Sequence, residues 1–146
     1  MDFMLFIREE SKMKFYVASS FKNIDKVRYV SEQLKSKGYF HTYDWTKNER
    51  ALTVEELKQI GQEEKKAVSE SDFIVILLPA GKGSHIELGI ALGLNKKVIL
   101  YSPNNEEAND LAKTSTFYHL SEVVKFTGTI DDLVNFLTIK EKKLLN

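Results

Sequence analysis

Residues 71–93 read SDFIVILLPAGKGSHIELGIALG, and the apolar run from Phe73 to Leu78 decides the fold. It has no polar alternation, so the strand it forms is covered on both faces, the habit of a parallel sheet flanked by helices. Pro79 closes it, Gly81 and Gly83 provide a turn, and the pattern beyond predicts a short, largely apolar helix from Ser84 through Leu94. KKVILYSP at 96–103 then returns as a fourth strand ended by Pro103.

The same alternation extends in both directions. Upstream, KFYVASS at 14–20 is a buried strand, and Ile24, Val27, Val30 and Leu34 mark one face of the helix after it. Gly38 stops that helix and YFHTYDW at 39–45 supplies a short aromatic strand. Thr53 with Glu56 then forms a capping-box start to a helix whose apolar positions are Val54, Leu57, Ile60, Ala67 and Val68. Downstream, an Asn/Glu-rich stretch after Pro103 is the one long loop, VVKFTG at 123–128 is a fifth strand, and Ile130, Leu133, Val134 and Leu137 mark a final amphipathic helix. The expectation is a single doubly wound, flavodoxin-like α/β sheet of about five parallel strands.

At 146 residues and 16.8 kDa the chain has room for one domain, read as residues 13–146 after an N-terminal extension of residues 1–12. Lys plus Arg and Asp plus Glu each number 21, so no global field gathers nucleic acid or anionic membrane, and any phosphate site must be local. The absence of cysteine excludes a thiol nucleophile, a disulfide framework and the usual thiolate zinc sites, and it fits a cytoplasmic location. MDFMLFIREESK at 1–12 has neither the basic start nor the cleavage site of an export signal, and no apolar stretch approaches the roughly 20 residues that span a bilayer.

Ligands of an open parallel sheet bind beyond the carboxyl ends of its strands, where strand order reverses. That rule selects Ala18 to Phe21, Asp44 with Trp45, and Ala80 to Glu87. In the last stretch Glu87 falls in the expected first turn of its helix, where dipole and free N–H groups favour a carboxylate ready to attack or stabilise a cationic carbon. Ser84 to Glu87 also spells S-x-x-E, a capping box in which both side chains only satisfy helix donors. GKGSH lacks the ending of a P-loop, and the third glycine of a dinucleotide fingerprint is missing.

SDFIVILLPAGKGSHIELGIALG, the following KKVILYSP and the opening KFYVASSF resemble the nucleoside 2-deoxyribosyltransferase family, with its relatives that hydrolyse deoxynucleoside monophosphates. The resemblance runs from Lys14 to about Pro103. It implies that Glu87, before Leu-Gly, is the nucleophile at the anomeric carbon and that Tyr16 touches it. It also implies that Glu64, eight residues ahead of Asp72 where the family usually has Asp, handles the leaving or entering base. Ala80, Gly81 and Lys82 stand where transferases commonly carry further Asp residues, a departure that points away from transfer. A dimer or larger homo-oligomer is a further implication.

The implied chemistry is a retaining displacement of a nucleoside or nucleotide base, with water or a second base releasing the sugar. Ser19, Phe21, Gly81, Gly83 and Ser84 are candidates to bind the substrate, Lys82 with Ser84 suiting a phosphate. Asp44 is a candidate acid or sugar ligand and Trp45 a stacking face, although an Asp at a strand end also caps turns and a lone Trp is also core. His41 reads as structural, His85 stands outside the catalytic set and His119 has no assigned role. No His, Asp and Glu set has metal-ligand spacing, and no cofactor, nucleic-acid partner or membrane partner is expected. Two other readings stay open: an NAD glycohydrolase, and a non-catalytic nucleotide-binding module in which Glu87 only caps its helix.

Overall fold

A computed structural model describes the backbone of residues 13–145 and the side chains of 13–139; the expected extension at 1–12 lies outside the described residues. Five strands form one parallel sheet: β1 (Lys14–Ser19), β2 (Phe40–His41), β3 (Phe73–Leu77), β4 (Lys97–Ser102) and β5 (Val123–Thr127), in the order β2-β1-β3-β4-β5. This is the flavodoxin-like order, and it reverses between β1 and β3. Those two strands run in register from Phe15 opposite Phe73 to Ser19 opposite Leu77, so their carboxyl ends finish level.

Every residue of β3 is buried, as the unbroken apolar run requires of a strand with helices on both sides. Val27, Val30 and Leu34 of α1 (Ile24–Ser36) and Leu133 and Leu137 of the final helix, α5 (Ile130–Leu145), are buried in the same core as β3. Each such side chain contributes about 1.5–3 kcal/mol by leaving water.

Three elements differ from the sequence reading, each for a local reason. The aromatic strand stops at His41, because the Asp44 carboxylate accepts from the Thr46 N–H at 3.0 Å and turns the chain into a 3₁₀ turn at Trp45–Lys47. The long loop after Pro103 contains a short helix, α4 (Glu106–Asn109), and a 3₁₀ turn at Thr116–His119 capped by Ser115. The third difference concerns α2 (Val54–Glu70), which starts as expected with the Thr53 hydroxyl accepting from the Glu56 N–H at 3.1 Å. Of its apolar positions only Ala67 and Val68 are buried, whereas Val54 and Leu57 are exposed. With β2 only two residues long, the amino-terminal half of α2 overhangs the sheet and becomes a wall instead of core.

Candidate active site

The helix after the glycine turn, α3, spans Lys82–Gly93 with Gly81 as its N-cap, two residues earlier than expected. Ser84 therefore lies inside the first turn, where its hydroxyl accepts from the Gly81 N–H at 2.6 Å and donates to the Gly81 carbonyl at 3.1 Å. Glu87 moves to the second turn, and the expected first-turn placement and its Ser84 capping box are both corrected. Neither Gly81 nor Gly83 has a positive φ, and a Cβ would meet only ordinary van der Waals contact at Gly81 and open space at Gly83, so neither the backbone nor the space demands glycine here.

Glu87 is 6 % exposed. The hydroxyl of Tyr16, at the centre of β1, donates to its Oε2 and also lies 3.3 Å from Oε2 of Glu64 on α2. Three elements thus bring one phenol and two carboxyl groups to a point below the β1/β3 switch.

The electrostatics reverse the expectation of a carboxylate held ionised by the helix terminus. Burial pushes the Glu87 carboxyl up to about 8, the Tyr16 hydrogen bond pulls the other way, and the charge of Glu64 adds to the rise. In the second turn Glu87 lies beyond the free N–H groups of the helix start, and desolvation outweighs what remains of the dipole. Burial also raises the Tyr16 phenol, with Glu87 and Glu64 both acting in the same direction, so it remains a hydrogen-bond donor throughout the working range.

Above this cluster is a cleft of about 970 Å³. Glu64 and Glu87 line it together with Ser19, Phe21, Trp45, Gly81, Gly83 and Ser84, so eight of the ten expected site residues share it and Tyr16 reaches it through the two carboxyl groups. Asp44 is not among the lining residues. Burial would raise its carboxyl, but hydrogen bonds from the Thr46 side chain, at 2.5 Å, and backbone prevail and hold it low, the signature of a turn cap.

Several of the remaining residues have structural tasks within the cleft. The Ser19 hydroxyl donates to the Leu77 carbonyl at 2.7 Å and accepts from the Asn23 amide at 3.0 Å, which ties the ends of β1 and β3 together. The Trp45 indole N–H donates to the Val17 carbonyl at 2.7 Å, on the edge of β1 that β2 no longer covers. Phe21 meets Trp45 edge to face at 5.5 Å and is 77 % exposed, so the open aromatic face belongs to Phe21.

Sequence reasoning missed the loop Asn48–Ala51, which lines the cleft, and the place there of Leu57 and Ile60, which it read only as apolar positions of their helix. Extending the strand-end rule past Trp45 would have reached the loop; the overhang of α2 has no local sequence mark. Lys22, on the rim beside Ser20, was also missed. Among the described residues no cluster of three His, Asp or Glu side chains is placed to hold a metal, and no helix is long and apolar enough to cross a membrane.

The sequence profile of the nucleoside 2-deoxyribosyltransferase family matches residues 15–134. The chain belongs to that family. Its fold is similar to that of the CMP N-glycosidase of Clostridium botulinum, with a TM-score of 0.61 at 19 % identity over 86 % of this chain and 98 % of that one. A conserved protein of Enterococcus faecalis is similar to the same degree, with a TM-score of 0.63 at 18 % identity over 89 % and 99 %. No curated protein sequence matches the chain significantly. Family membership makes this chain an enzyme of N-glycosidic cleavage or transfer acting on small nucleoside-type molecules.

Proposed function

We propose that the chain cleaves the N-glycosidic bond of a nucleoside or nucleotide with Glu87 as nucleophile, Glu64 as proton donor and Tyr16 as the group that orients the nucleophile. The observation that carries this reading is the contact of one phenol with two carboxyl groups beneath the cleft. Tyr16 engages Oε2 of Glu87, which leaves Oε1 to attack the anomeric carbon as the bond from that carbon to the base nitrogen breaks. The bonding electrons leave with the base, which takes the proton of Glu64. Water or a second base then attacks the same carbon from the vacated side, any proton lost returning to Glu64 and Glu87 departing as carboxylate, so configuration is retained. The absence of a cap hydrogen bond from Glu87 removes the main support of the binding-module reading.

The cleft favours a substrate with a 5′-phosphate. Lys22 and Lys82 line it together with Ser20 and Ser84 at the α3 amino terminus, a combination of cations, hydroxyls and backbone N–H groups suited to an anion. The substrate named for the Clostridium structure fits this choice. The uncharged, small side chains at Ala80 and Gly81 favour water over a second base as the acceptor.

Assembly into a homo-oligomer is part of the same proposal, as is a cytoplasmic location. Ile86 is exposed on α3, Leu94 at its C-cap and Val54 on α2, apolar side chains that a second copy would cover.

Product chromatography of wild type and Glu87→Gln tests the assignment, with deoxynucleosides, ribo- and deoxynucleoside 5′-monophosphates and NAD, each with and without a second free base. Base release by wild type alone supports it; nicotinamide release would select the NAD glycohydrolase reading. Equal turnover by both proteins, or none, would overturn it.

A further inference from the structure

His85 sits two residues before Glu87 yet is not among the residues lining the cleft. Its ring is fully engaged elsewhere: Nδ1 lies 2.8 Å from the Gly81 carbonyl oxygen and Nε2 lies 2.7 Å from the Tyr118 hydroxyl. The two rings are nearly parallel, 13° apart, with centroids 5.7 Å from each other. A carbonyl oxygen can only accept, so Nδ1 carries the hydrogen. In the neutral ring Nε2 is then the acceptor and Tyr118 the donor.

Both ends of this chain are anchored. Tyr118 is buried in the 3₁₀ turn before β5, which Ser115 caps by accepting from the Phe117 N–H at 3.3 Å. Gly81 is gripped by its N–H, which donates to Ser84, and by its carbonyl, which accepts from the His85 N–H at 3.1 Å as well as from the imidazole. Gly81 opens the turn that forms one wall of the cleft.

We infer that His85 and Tyr118 are positioning residues, a brace running from the β4–β5 connection that sets where the Gly81–Ser84 wall stands. The inference builds on the proposed function, since that wall is where the substrate's anionic group is placed. Loss of the brace therefore weakens substrate binding and leaves the Glu87–Tyr16–Glu64 chemistry alone. Asn at position 85 can present an amide N–H close to where Nδ1–H stands but cannot reach Tyr118, so it keeps the Gly81 contact and still breaks the brace.

The experiment compares His85→Ala, His85→Asn and Tyr118→Phe with wild type. The expected result is that Ala and Phe raise KM for the best nucleoside 5′-monophosphate about tenfold, the scale of one lost hydrogen bond. Their kcat stays within about twofold, and Asn, which keeps only the Gly81 contact, raises KM as Ala does. A fall in kcat at unchanged KM, or a His85→Asn variant with the KM of wild type, would overturn the brace. Nitrogen-15 spectra of the free wild-type protein give a readout that needs no turnover: a ring protonated at Nδ1 and bare at Nε2, with Gly81 and Gly83 amide signals that move in Tyr118→Phe. The opposite tautomer, or unmoved signals, overturns the brace even if wild type cleaves nothing, while the expected spectra with no cleavage would leave the brace standing and sink the glycosidase reading.

Discussion

Tyr16 holds Glu87 by one carboxylate oxygen and lies 3.3 Å from Glu64, so a single phenol connects the proposed nucleophile to the proposed acid. Burial pushes the Glu87 carboxyl up to about 8 against the pull of the Tyr16 hydrogen bond, and the charge of Glu64 adds to the rise. Attack needs Glu87 ionised, so kcat/KM is expected to climb as pH rises toward about 8, about tenfold for each unit below the midpoint. In Glu64→Gln the neighbouring charge is gone, so the smaller remaining activity should reach its plateau at lower pH. A wild-type profile that stays flat or falls as pH rises toward 8 would remove Glu87 from the role of nucleophile.

Tyr16→Phe isolates the other half of this relationship. The Tyr16 hydrogen bond draws the Glu87 carboxyl downward against burial, so its loss lets the Glu87 pKa rise above about 8. A hydrogen bond to a charged group contributes about 1.5–3 kcal/mol. The variant should lose about ten- to a hundredfold in kcat near neutral pH, with the rise of the pH profile displaced to higher pH. An unchanged midpoint would mean that Tyr16 fills space only.

The order of the sheet and the convergence of Glu87, Tyr16 and Glu64 were legible because each rests on a pattern local in sequence: an unbroken apolar run, an alternation of elements, a family motif. The state of Glu87 was not legible. Whether its carboxyl is raised or lowered depends on where α3 begins, and Gly81 instead of Ser84 takes the N-cap. The N-cap lies three residues earlier than S-x-x-E implies, and that moves Glu87 from the free amides to a desolvated position. Asp44 and Trp45 were found in the right region with their tasks unresolved, since turn cap and ligand, or anchor and platform, use the same residue types.

His41 offers a test away from the cleft. Its ring stacks on Phe15 at 4.6 Å and its buried Nε2 has no hydrogen-bond partner, an arrangement suited to the neutral imidazole. Burial lowers its pKa to about 4, with Lys35 and Lys47 assisting and Asp44 and Glu32 opposing. Because the folded value lies below the unfolded one, near 6.5, the unfolded chain binds the proton more readily as pH falls. The associated stability, up to about 3 kcal/mol, is fully present above pH 6.5 and is lost progressively toward pH 4. His41→Phe, which retains a stacking ring, should flatten that part of the dependence in urea unfolding. An equal slope in both proteins would assign the acid loss to other groups.

Phe21 and Trp45 touch edge to face but should behave differently when altered. Trp45 is buried, and its indole N–H satisfies the Val17 carbonyl that the short β2 leaves without a strand partner. Trp45→Phe strands that carbonyl, at about 1–3 kcal/mol, and should lower Tm by about 5 °C, since a kilocalorie shifts a chain of this size by about 2–4 °C. Phe21 stands 77 % exposed over the cleft, so Phe21→Ala should leave Tm within about 1 °C. A base stacked on that ring contributes about 1–3 kcal/mol, so KM should rise about tenfold or more in the same variant. Thermal melts and steady-state kinetics on the two single variants separate the roles. If Phe21→Ala changes neither KM nor Tm, the base lies elsewhere, and the loop at Asn48–Ala51 becomes the place to seek it.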